Sequence, residues 1–398
     1  MRFILRSLLI AGVLLSFSAC SKETVLEAEM QRSVLIYMAA NNDLSPDMIN
    51  NINALKRGFL PSNGNILIYL DVPNANPKLF RLVRNISTNA IEEELIEQYA
   101  EDERSTNPAV LTRSLKRMRE LFPAKSYGLI LSSHATGWVP AGMLSSPFLN
   151  QQSLFSAPAQ FKIEDLPTTR AFGAYGNDPG MELSKLAAAI PFTLSFILFD
   201  ACFMGSIEVA YALRNVTDYI IASPTEVLST GFPFDQIMQP LFQTEPDLMA
   251  VCNAFYHFYN DHPSGEAWQS ATIALYATAS IEVLATKLKS IFQTHRTDLN
   301  TFLPDEVQHY ANAPIFYDLE EFILQLAPTE VTQFKAALDN VVQYKCATDS
   351  FFSLVTKAAY IPVHYYGGIS TYIPVAAQSA LRNAYKETAW NRAVGMVE

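Results

Sequence analysis

The stretch LSFILFDACFMG, residues 194–205, joins a continuous apolar run to a polar turn that carries a cysteine. The run Leu194–Phe199 has the length of a strand, and an apolar run of that length indicates a strand buried on both faces. Asp200 and Cys202 follow at once. In open parallel sheets, ligands and reacting groups collect where strands end at their carboxyl side. This stretch therefore predicts both a covered parallel sheet and a reactive edge on it.

The chain on either side repeats the alternation of apolar strands and helices. The pattern predicts strands at Ser33–Met38, Ile66–Val72, Tyr127–Ser132 and Tyr219–Ala222, a hairpin from Leu79–Asn85, and helices beginning at Ser45 and covering Pro108–Leu121, Met181–Ile190 and Gly205–Arg214. Such alternation is typical of an α/β fold with a mostly parallel sheet and helices on both faces.

Near Pro240 the regular alternation of apolar strands and helices gives way to a mixed α+β pattern. Beyond it we predict helices at Pro246–His262 and Ile281–Gln293 and strands at Thr272–Ala277, Ala358–Val363 and Ile369–Ile373. We therefore divide the body into residues 32–240 and a C-terminal α+β region, residues 241–398.

The first residues have the features of an export signal. Arg2 and Arg6 precede an apolar run that is too short to span a bilayer, and small residues then lead to Cys20. The ending Phe-Ser-Ala-Cys resembles a bacterial lipobox, in which the cysteine becomes a lipidated N-terminus. We expect residues 1–19 to be a signal peptide, residues 20–31 a tether, and the protein to be anchored in the bacterial cell envelope, at the outer membrane or cell surface. The alternative is an ordinary cleaved signal with an incidental cysteine.

Composition narrows the class of protein. Of 398 residues, 49% are hydrophobic and 17% charged, which excludes an intrinsically disordered chain. The formal net charge of −11 argues against a nucleic-acid partner. The sequence contains no dinucleotide or phosphate-binding glycine motif, no serine-hydrolase elbow and no zinc-protease motif.

The polar residues after two predicted strands are the candidates for chemistry. His134 follows Tyr127–Ser132, and Cys202 follows Leu194–Phe199. We expect Cys202 to begin a helix whose dipole favours the thiolate, with His134 as its base and the amides of Ala135 and Cys202 as oxyanion donors. The alternative is that Cys202 is a core thiol and His134 caps a turn.

Other residues of reactive type have simpler explanations. Cys252 and Cys346 lie in amphipathic, helix-like contexts and are expected to be core thiols. His257, Asp261 and His262 have metal-ligand side chains, but their aromatic surroundings favour a surface helix end. The acidic run that starts at Asp318 is interpreted as charge at a helix N-terminus.

Three segments together resemble the clostripain family of cysteine peptidases, which belongs with the caspases, legumains and gingipains. These are Ser33–Asn42, Gly128–Trp138 and Phe196–Gly205, and later runs extend the likeness to about residues 33–375. The resemblance implies a caspase-like fold and a dyad in which His134 precedes Cys202. It also implies cleavage after arginine or lysine, with Asp200 in the specificity pocket. Protein or peptide substrates are the implied partners, together with the membrane through the lipid anchor. The chemistry requires no cofactor, and the sequence contains no calcium loop.

Two positions depart from the family pattern. The residue after the histidine is Ala135 where the family has glycine; alanine resists positive φ and would change the oxyanion geometry. The loop Glu226–Phe232 lacks a second pocket aspartate, for which Glu226 is the candidate substitute. These departures keep open an alternative function, a weakly active or inactive surface lipoprotein that acts as a binding module. Relatives also cut themselves between the histidine and the cysteine. Here Lys162 and Arg170 are the candidate positions, with Lys162 preferred, and an uncut chain is the alternative.

Overall fold

The protein is described by a computed structural model that covers residues 30–59, 64–140, 180–313, 315–355, 358–374 and 379–398. Cys20, Lys162 and Arg170 lie outside these residues, so the expectations placed on them stay predictions.

Strands from both halves of the chain form one nine-stranded sheet in the order β10-β8-β7-β6-β5-β1-β2-β3-β4. The five central strands from β7 to β2 run parallel, and an antiparallel pair flanks them on each side. The mostly parallel sheet that the sequence predicts is thereby confirmed. The strands are β1 (Met30–Ala39), β2 (Gly64–Asp71), β3 (Lys78–Arg84), β4 (Ile91–Gln98), β5 (Ala124–Ser132), β6 (Leu194–Asp200), β7 (Thr217–Ala222), β8 (Thr272–Ala277), β9 (Tyr317–Asp318), β10 (Val342–Ala347), β11 (Ser350–Ser353), β12 (Ala359–Pro362) and β13 (Ser370–Thr371).

Helices cover both faces of this sheet, as predicted. They are α1 (Ser45–Arg57), α2 (Pro108–Leu121), α3 (Leu183–Ala189), α4 (Ile207–Leu213), α5 (Phe234–Leu241), α6 (Leu248–Asn260), α7 (Ile281–Thr294), α8 (Arg296–Thr301), α9 (Leu319–Leu326), α10 (Val331–Asp339), α11 (Ser379–Lys386) and α12 (Ala389–Val394).

Two separate apolar clusters lie on the two faces of the sheet. Along β1, Val34 and Ile36 belong to one cluster and Leu35 and Tyr37 to the other, because successive side chains of a strand point to opposite faces. The first cluster packs under α1, α5 and α6, and the second under α2, α4, α7 and α9. Continuous apolar runs in the sequence therefore reflect burial on both sides.

Local signals set several of the element bounds. Helix α2 begins and ends as predicted, since Asn107 accepts a hydrogen bond from the amide of Ala109 and Pro108 stands in the first turn.

Two predictions need correction. Helix α4 begins at Ile207 rather than Gly205, after the cap Ser206. The strand predicted at Ile369–Ile373 contains only Ser370 and Thr371, which pair with β9.

The C-terminal half contributes directly to the sheet. Strand β8 pairs antiparallel with β7, and β10 pairs with β8. The change in sequence character near Pro240 thus falls inside a continuous sheet, and a domain boundary there stays a prediction.

Candidate active site

The register of the central strands brings the candidate residues to one edge of the sheet. Ser132 of β5 pairs with Asp200 of β6, and Met38 of β1 pairs with Ser132. His134 and Cys202 each lie two residues beyond a paired position, on neighbouring strands. The carboxyl ends of parallel strands meet at the same edge, so both residues lie at this edge of the sheet.

Cys202 lies in a turn, and its side chain is fully buried. The amide of Val227 donates a hydrogen bond to the Cys202 Sγ at 3.3 Å, and the Sγ lies 3.8 Å from the Val227 carbonyl oxygen. The expectation that Cys202 begins a helix is wrong, because α4 starts five residues later at Ile207. The helix dipole, whose influence fades within one turn, therefore gives this thiol little support.

The turn that carries Cys202 is held by its neighbour Phe203. Phe203 has a φ of 58°, a left-handed conformation that is costly for an aromatic residue. Its ring stacks on Phe316 with 4.6 Å between centroids, and its amide donates to the carbonyl of Thr225 at 2.9 Å. The surrounding contacts thus fix a strained backbone next to the candidate nucleophile, a feature that the sequence did not indicate.

His134 is mostly buried and contacts a residue from a third strand end. Its Nε2 lies 2.7 Å from the Asp43 Oδ1, and the two side chains are 12% and 61% exposed. Asp43 follows β1, which neighbours β5 in the sheet. No pattern in the sequence singled out Asp43. The order of the strands is the missing information that would have pointed to it.

Ala135 is fully buried, and its backbone does not adopt the left-handed conformation. Gly137, two residues later, does, with a φ of 61°. Positive φ at residue 135 is therefore not required, and alanine in place of glycine costs no strain there. A difference in oxyanion geometry from relatives with glycine at this position stays a prediction.

Asp200 is fully buried at the end of β6. The hydroxyl of Ser132 donates to its Oδ2 at 2.9 Å, and Gly231 packs so closely that a Cβ there would lie 2.4 Å from the Oδ1. The hydroxyl of Tyr259 donates to the Gly231 carbonyl at 2.7 Å and holds this approach. The loop after β7 thus encloses the carboxylate of Asp200.

Glu226 lies in the same loop and is 4% exposed. Both of its carboxylate oxygens lie 3.0 Å from the amide of Leu354, which donates to them. This contact ties the loop to the segment after β11. A substrate-binding role for Glu226 would compete with it.

The remaining candidates have structural roles of the predicted kind, except that Cys346 lies on strand β10 and is only half-buried, so its assignment as a helical core thiol is wrong. Burial raises the pKa of the Cys252 thiol well above its ordinary value and that of Cys346 to about 11. His257 lies on the surface, with its Nδ1 3.0 Å from the Asp261 Oδ2. Within the described residues, no group of three potential metal ligands occurs. Asp318 caps α9 by accepting from the amide of Glu321 at 2.9 Å.

Comparison with known proteins gives consistent results. A family model described as the clostripain family matches residues 36–154 and 160–390. The chain is also similar to clostripain of Hathewaya histolytica, with 24% identity over 229 residues that make up 52% of this chain and 41% of that protein. It therefore spans less than half the length of that curated relative.

Two solved structures share the fold over nearly their whole length. An inactive zymogen C11 protease from Parabacteroides distasonis matches with a TM-score of 0.78 and 32% identity, over 93% of this chain and 99% of that one. A secreted C11 cysteine protease from Bacteroides thetaiotaomicron, in complex with an irreversible peptide inhibitor, matches with a TM-score of 0.75 and 24% identity, over 92% and 98%. The second likeness shows the fold alone.

Proposed function

Because this chain belongs to the clostripain family, we propose that it is an exported cysteine endopeptidase that uses Cys202 and His134 to hydrolyse peptide bonds after basic residues. The observation that carries the proposal is the register of β5 and β6, which sets a histidine and a cysteine at neighbouring strand ends. A thiol and an imidazole in such positions suit nucleophilic acyl transfer.

The reaction proceeds in two steps. The Cys202 sulfur, as thiolate, attacks the scissile carbonyl carbon, and the C–N bond breaks as His134 gives a proton to the leaving amine. Water then attacks the thioester, His134 takes its proton, and the Cys202 sulfur leaves. The amides of Ala135 and Cys202 are the proposed donors to the oxyanion that forms in each step.

Asp43 is the proposed positioning residue for the base. A carboxylate 2.7 Å from the His134 Nε2 fixes the rotation of the ring and stabilises the imidazolium. With Nε2 facing Asp43, His134 exchanges protons with the reacting groups through Nδ1. This assignment adds a third member to the proposed pair.

Asp200 is the proposed determinant of cleavage after arginine or lysine. A buried carboxylate two residues before the nucleophile favours a guanidinium, because charge-assisted hydrogen bonds are strong where water is excluded. The carboxylate of Glu226 already accepts a hydrogen bond from the Leu354 amide. Its proposed contribution to binding the basic side chain is therefore smaller than that of Asp200.

The described conformation keeps the thiol covered. The Cys202 side chain is fully buried, with the amide of Val227 3.3 Å from its sulfur, so residues around the thiol must move before a peptide reaches the sulfur.

The proposed location is the bacterial cell envelope, with Cys20 as the lipidated anchor and residues 20–31 as the tether. Its support is the sequence of the leader, which ends Ser18-Ala19-Cys20. In the part of the chain that the structure describes, no helix has the length and apolarity to cross a membrane.

The test is turnover of a peptide with arginine before the scissile bond. We expect Cys202→Ala to lower kcat by several orders of magnitude, because the nucleophile is lost. Cys252→Ala and Cys346→Ala are the matched controls and should keep most of the activity, since their thiols have raised pKa values. Equal activity of Cys202→Ala and the parent chain would overturn the proposal. Peptide binding without turnover in the parent chain would favour the binding-module alternative.

A further inference from the structure

A cleft of about 1250 Å³ opens at the carboxyl ends of β1 and β2. Its walls come from three segments: residues 39–43 after β1, residues 71–76 after β2, and residues 101–106 before α2. The proposed reaction assigns no role to this cleft. Its size is that of a site for several peptide residues.

The cleft is continuous with the proposed catalytic pair. Asp43 lines it, and the Asp43 Oδ1 lies 2.7 Å from the His134 Nε2. The order of strands across this edge is β6, β5, β1 and β2, so His134 stands between Cys202 and the cleft. Asp200, at the end of β6, lies on the opposite side of His134.

The direction of a bound substrate follows from the chemistry. His134 protonates the amine that leaves, and this amine belongs to the residue after the scissile bond. The leaving segment therefore passes His134 and continues toward β1 and β2. The basic residue before the scissile bond points the other way, toward Asp200.

The lining of the cleft is strongly polar and mostly acidic. Among the described residues it carries four carboxylates and one guanidinium, together with several asparagine amides. Glu101 and Asp102 are exposed at its wall, whereas Asp71 is buried and accepts a hydrogen bond from the amide of Ser105 at 3.0 Å. Asn74 has a φ of 60°, which fixes the turn after β2 in one shape. The field in the cleft attracts positive side chains.

We propose that this cleft binds the residues that follow the scissile bond and selects lysine or arginine among them. The inference rests on the proposed peptidase function and extends it to the leaving side of the substrate. Asp43 links the cleft to the base, and Glu101 and Asp102 provide the selecting charge.

The experiment compares peptides that share arginine before the scissile bond and carry lysine, norleucine or glutamate in the two positions after it. We expect kcat/KM to be higher for lysine than for glutamate by roughly tenfold, and this ratio to shrink at about 1 M salt, where exposed charges are screened. The variant Glu101→Gln/Asp102→Asn should bring the ratio close to one, and Glu101→Lys/Asp102→Lys should invert it. Asp218→Asn/Glu266→Gln removes two exposed carboxylates away from the cleft lining and should keep the parent ratio.

An arginyl coumarin amide has no residue after the scissile bond. Its cleavage therefore tests the peptidase function separately from the cleft assignment. All these variants should cleave it at the parent rate. If it is cleaved but the lysine-to-glutamate ratio is the same in the parent chain and in the charge-reversed variant, the cleft assignment is wrong and the peptidase function stands. If the parent chain cleaves neither the coumarin amide nor the peptides, the peptidase function fails and the cleft assignment fails with it.

Discussion

The pair His134 and Asp43 shows how a single residue from a distant segment completes a site. The two residues are 91 positions apart in sequence, yet their side chains meet at 2.7 Å. Asp43 is 61% exposed, so its contribution to stability through this contact is small. A carboxylate in that position matters for orientation of the ring rather than for folding.

We therefore predict that Asp43→Asn lowers kcat by about tenfold or more and leaves KM within about twofold, because orientation acts on the proton transfer. Asp43→Glu should recover part of the loss. Asp47→Asn, which changes a carboxylate in the first turn of α1, is the matched control and should leave both constants unchanged. Steady-state kinetics with one arginyl substrate measure all three variants. A parallel rise in KM in place of a fall in kcat would contradict the positioning role.

At the scale of loops and helices, two glycines with left-handed backbones provide a matched comparison. Gly231 has a φ of 70° and Gly265 a φ of 82°. A Cβ at Gly231 would lie 2.4 Å from the Asp200 Oδ1, whereas a Cβ at Gly265 would meet nothing within 4 Å. Both substitutions place alanine at a positive φ, and only the one at Gly231 also collides with Asp200.

We expect Gly265→Ala to cost about 1–3 kcal/mol of stability and to keep cleavage after arginine. Gly231→Ala should lose more stability and lower kcat/KM for the arginyl substrate by about tenfold or more, because Asp200 must shift. Thermal unfolding and peptide kinetics on both variants check this. Equal arginine kinetics in the two variants would mean that Asp200 does not contact the substrate.

The cap of α9 carries a buried charge that makes stability depend on pH. Asp318 is fully buried, and this burial raises its pKa from 3.8 to about 6. The hydroxyl of Tyr310 and the amides of Gly367 and Glu321 donate hydrogen bonds to its carboxylate, which limits the rise. A raised pKa means that the folded state binds the proton more tightly than the unfolded chain.

The stabilisation from that proton is complete below pH 3.8 and is lost as the pH rises through about 6. We predict a loss of about 3 kcal/mol in the free energy of unfolding over this range from Asp318, at about 1.4 kcal/mol per pKa unit. Asp318→Asn should remove this part of the pH dependence. Burial also raises the pKa of Glu208, which remains in both proteins and so cancels in the comparison. Urea unfolding at several pH values measures the difference, and identical slopes for the two proteins would contradict it.

At the scale of the whole molecule, one sheet contains strands from segments that lie far apart in the sequence. The antiparallel strands β8 and β10 extend the parallel strands on the side of Cys202, while β3 and β4 extend them on the other side. The loop after β7 is held from the C-terminal half, because Glu226 accepts from Leu354 and Tyr259 donates to Gly231. The C-terminal half therefore helps to shape the surroundings of Cys202 and Asp200.

The location of the whole molecule is predicted from its first residues. We predict that Cys20 is the acylated N-terminus of the mature chain, so the protein should partition into detergent, and its N-terminal peptide should carry the lipid mass. Cys20→Ser should move the protein to the aqueous phase, while Cys346→Ser, which changes a cysteine outside the leader, should not. A soluble parent chain with an unmodified Cys20 thiol would contradict the lipid anchor.

Local patterns in the sequence were enough to predict the central strands and their covered sheet. Apolar runs such as Leu194–Phe199 have enough local information to specify a buried strand, and Asn107 with Pro108 specifies the start of α2. The order of the motifs along the chain also gave the resemblance to the clostripain family. His134 and Cys202 were chosen because residues directly after parallel strands lie at one edge of the sheet.

Which side chains meet at that edge depends on the three-dimensional arrangement of the strands. The neighbours of a strand depend on the order of strands in the sheet, which local sequence does not encode, so the contact of Asp43 with His134 and the cleft beside it were not predictable. The same holds for the Val227 amide on the Cys202 sulfur and the Leu354 amide on Glu226, which are contacts between residues far apart in the chain. The backbone of Ala135 was settled in the same way, since packing around the turn fixes dihedral angles that residue type alone leaves open. The helix start at Ile207, in contrast, has a local signal in the cap Ser206, which the sequence-based prediction overlooked.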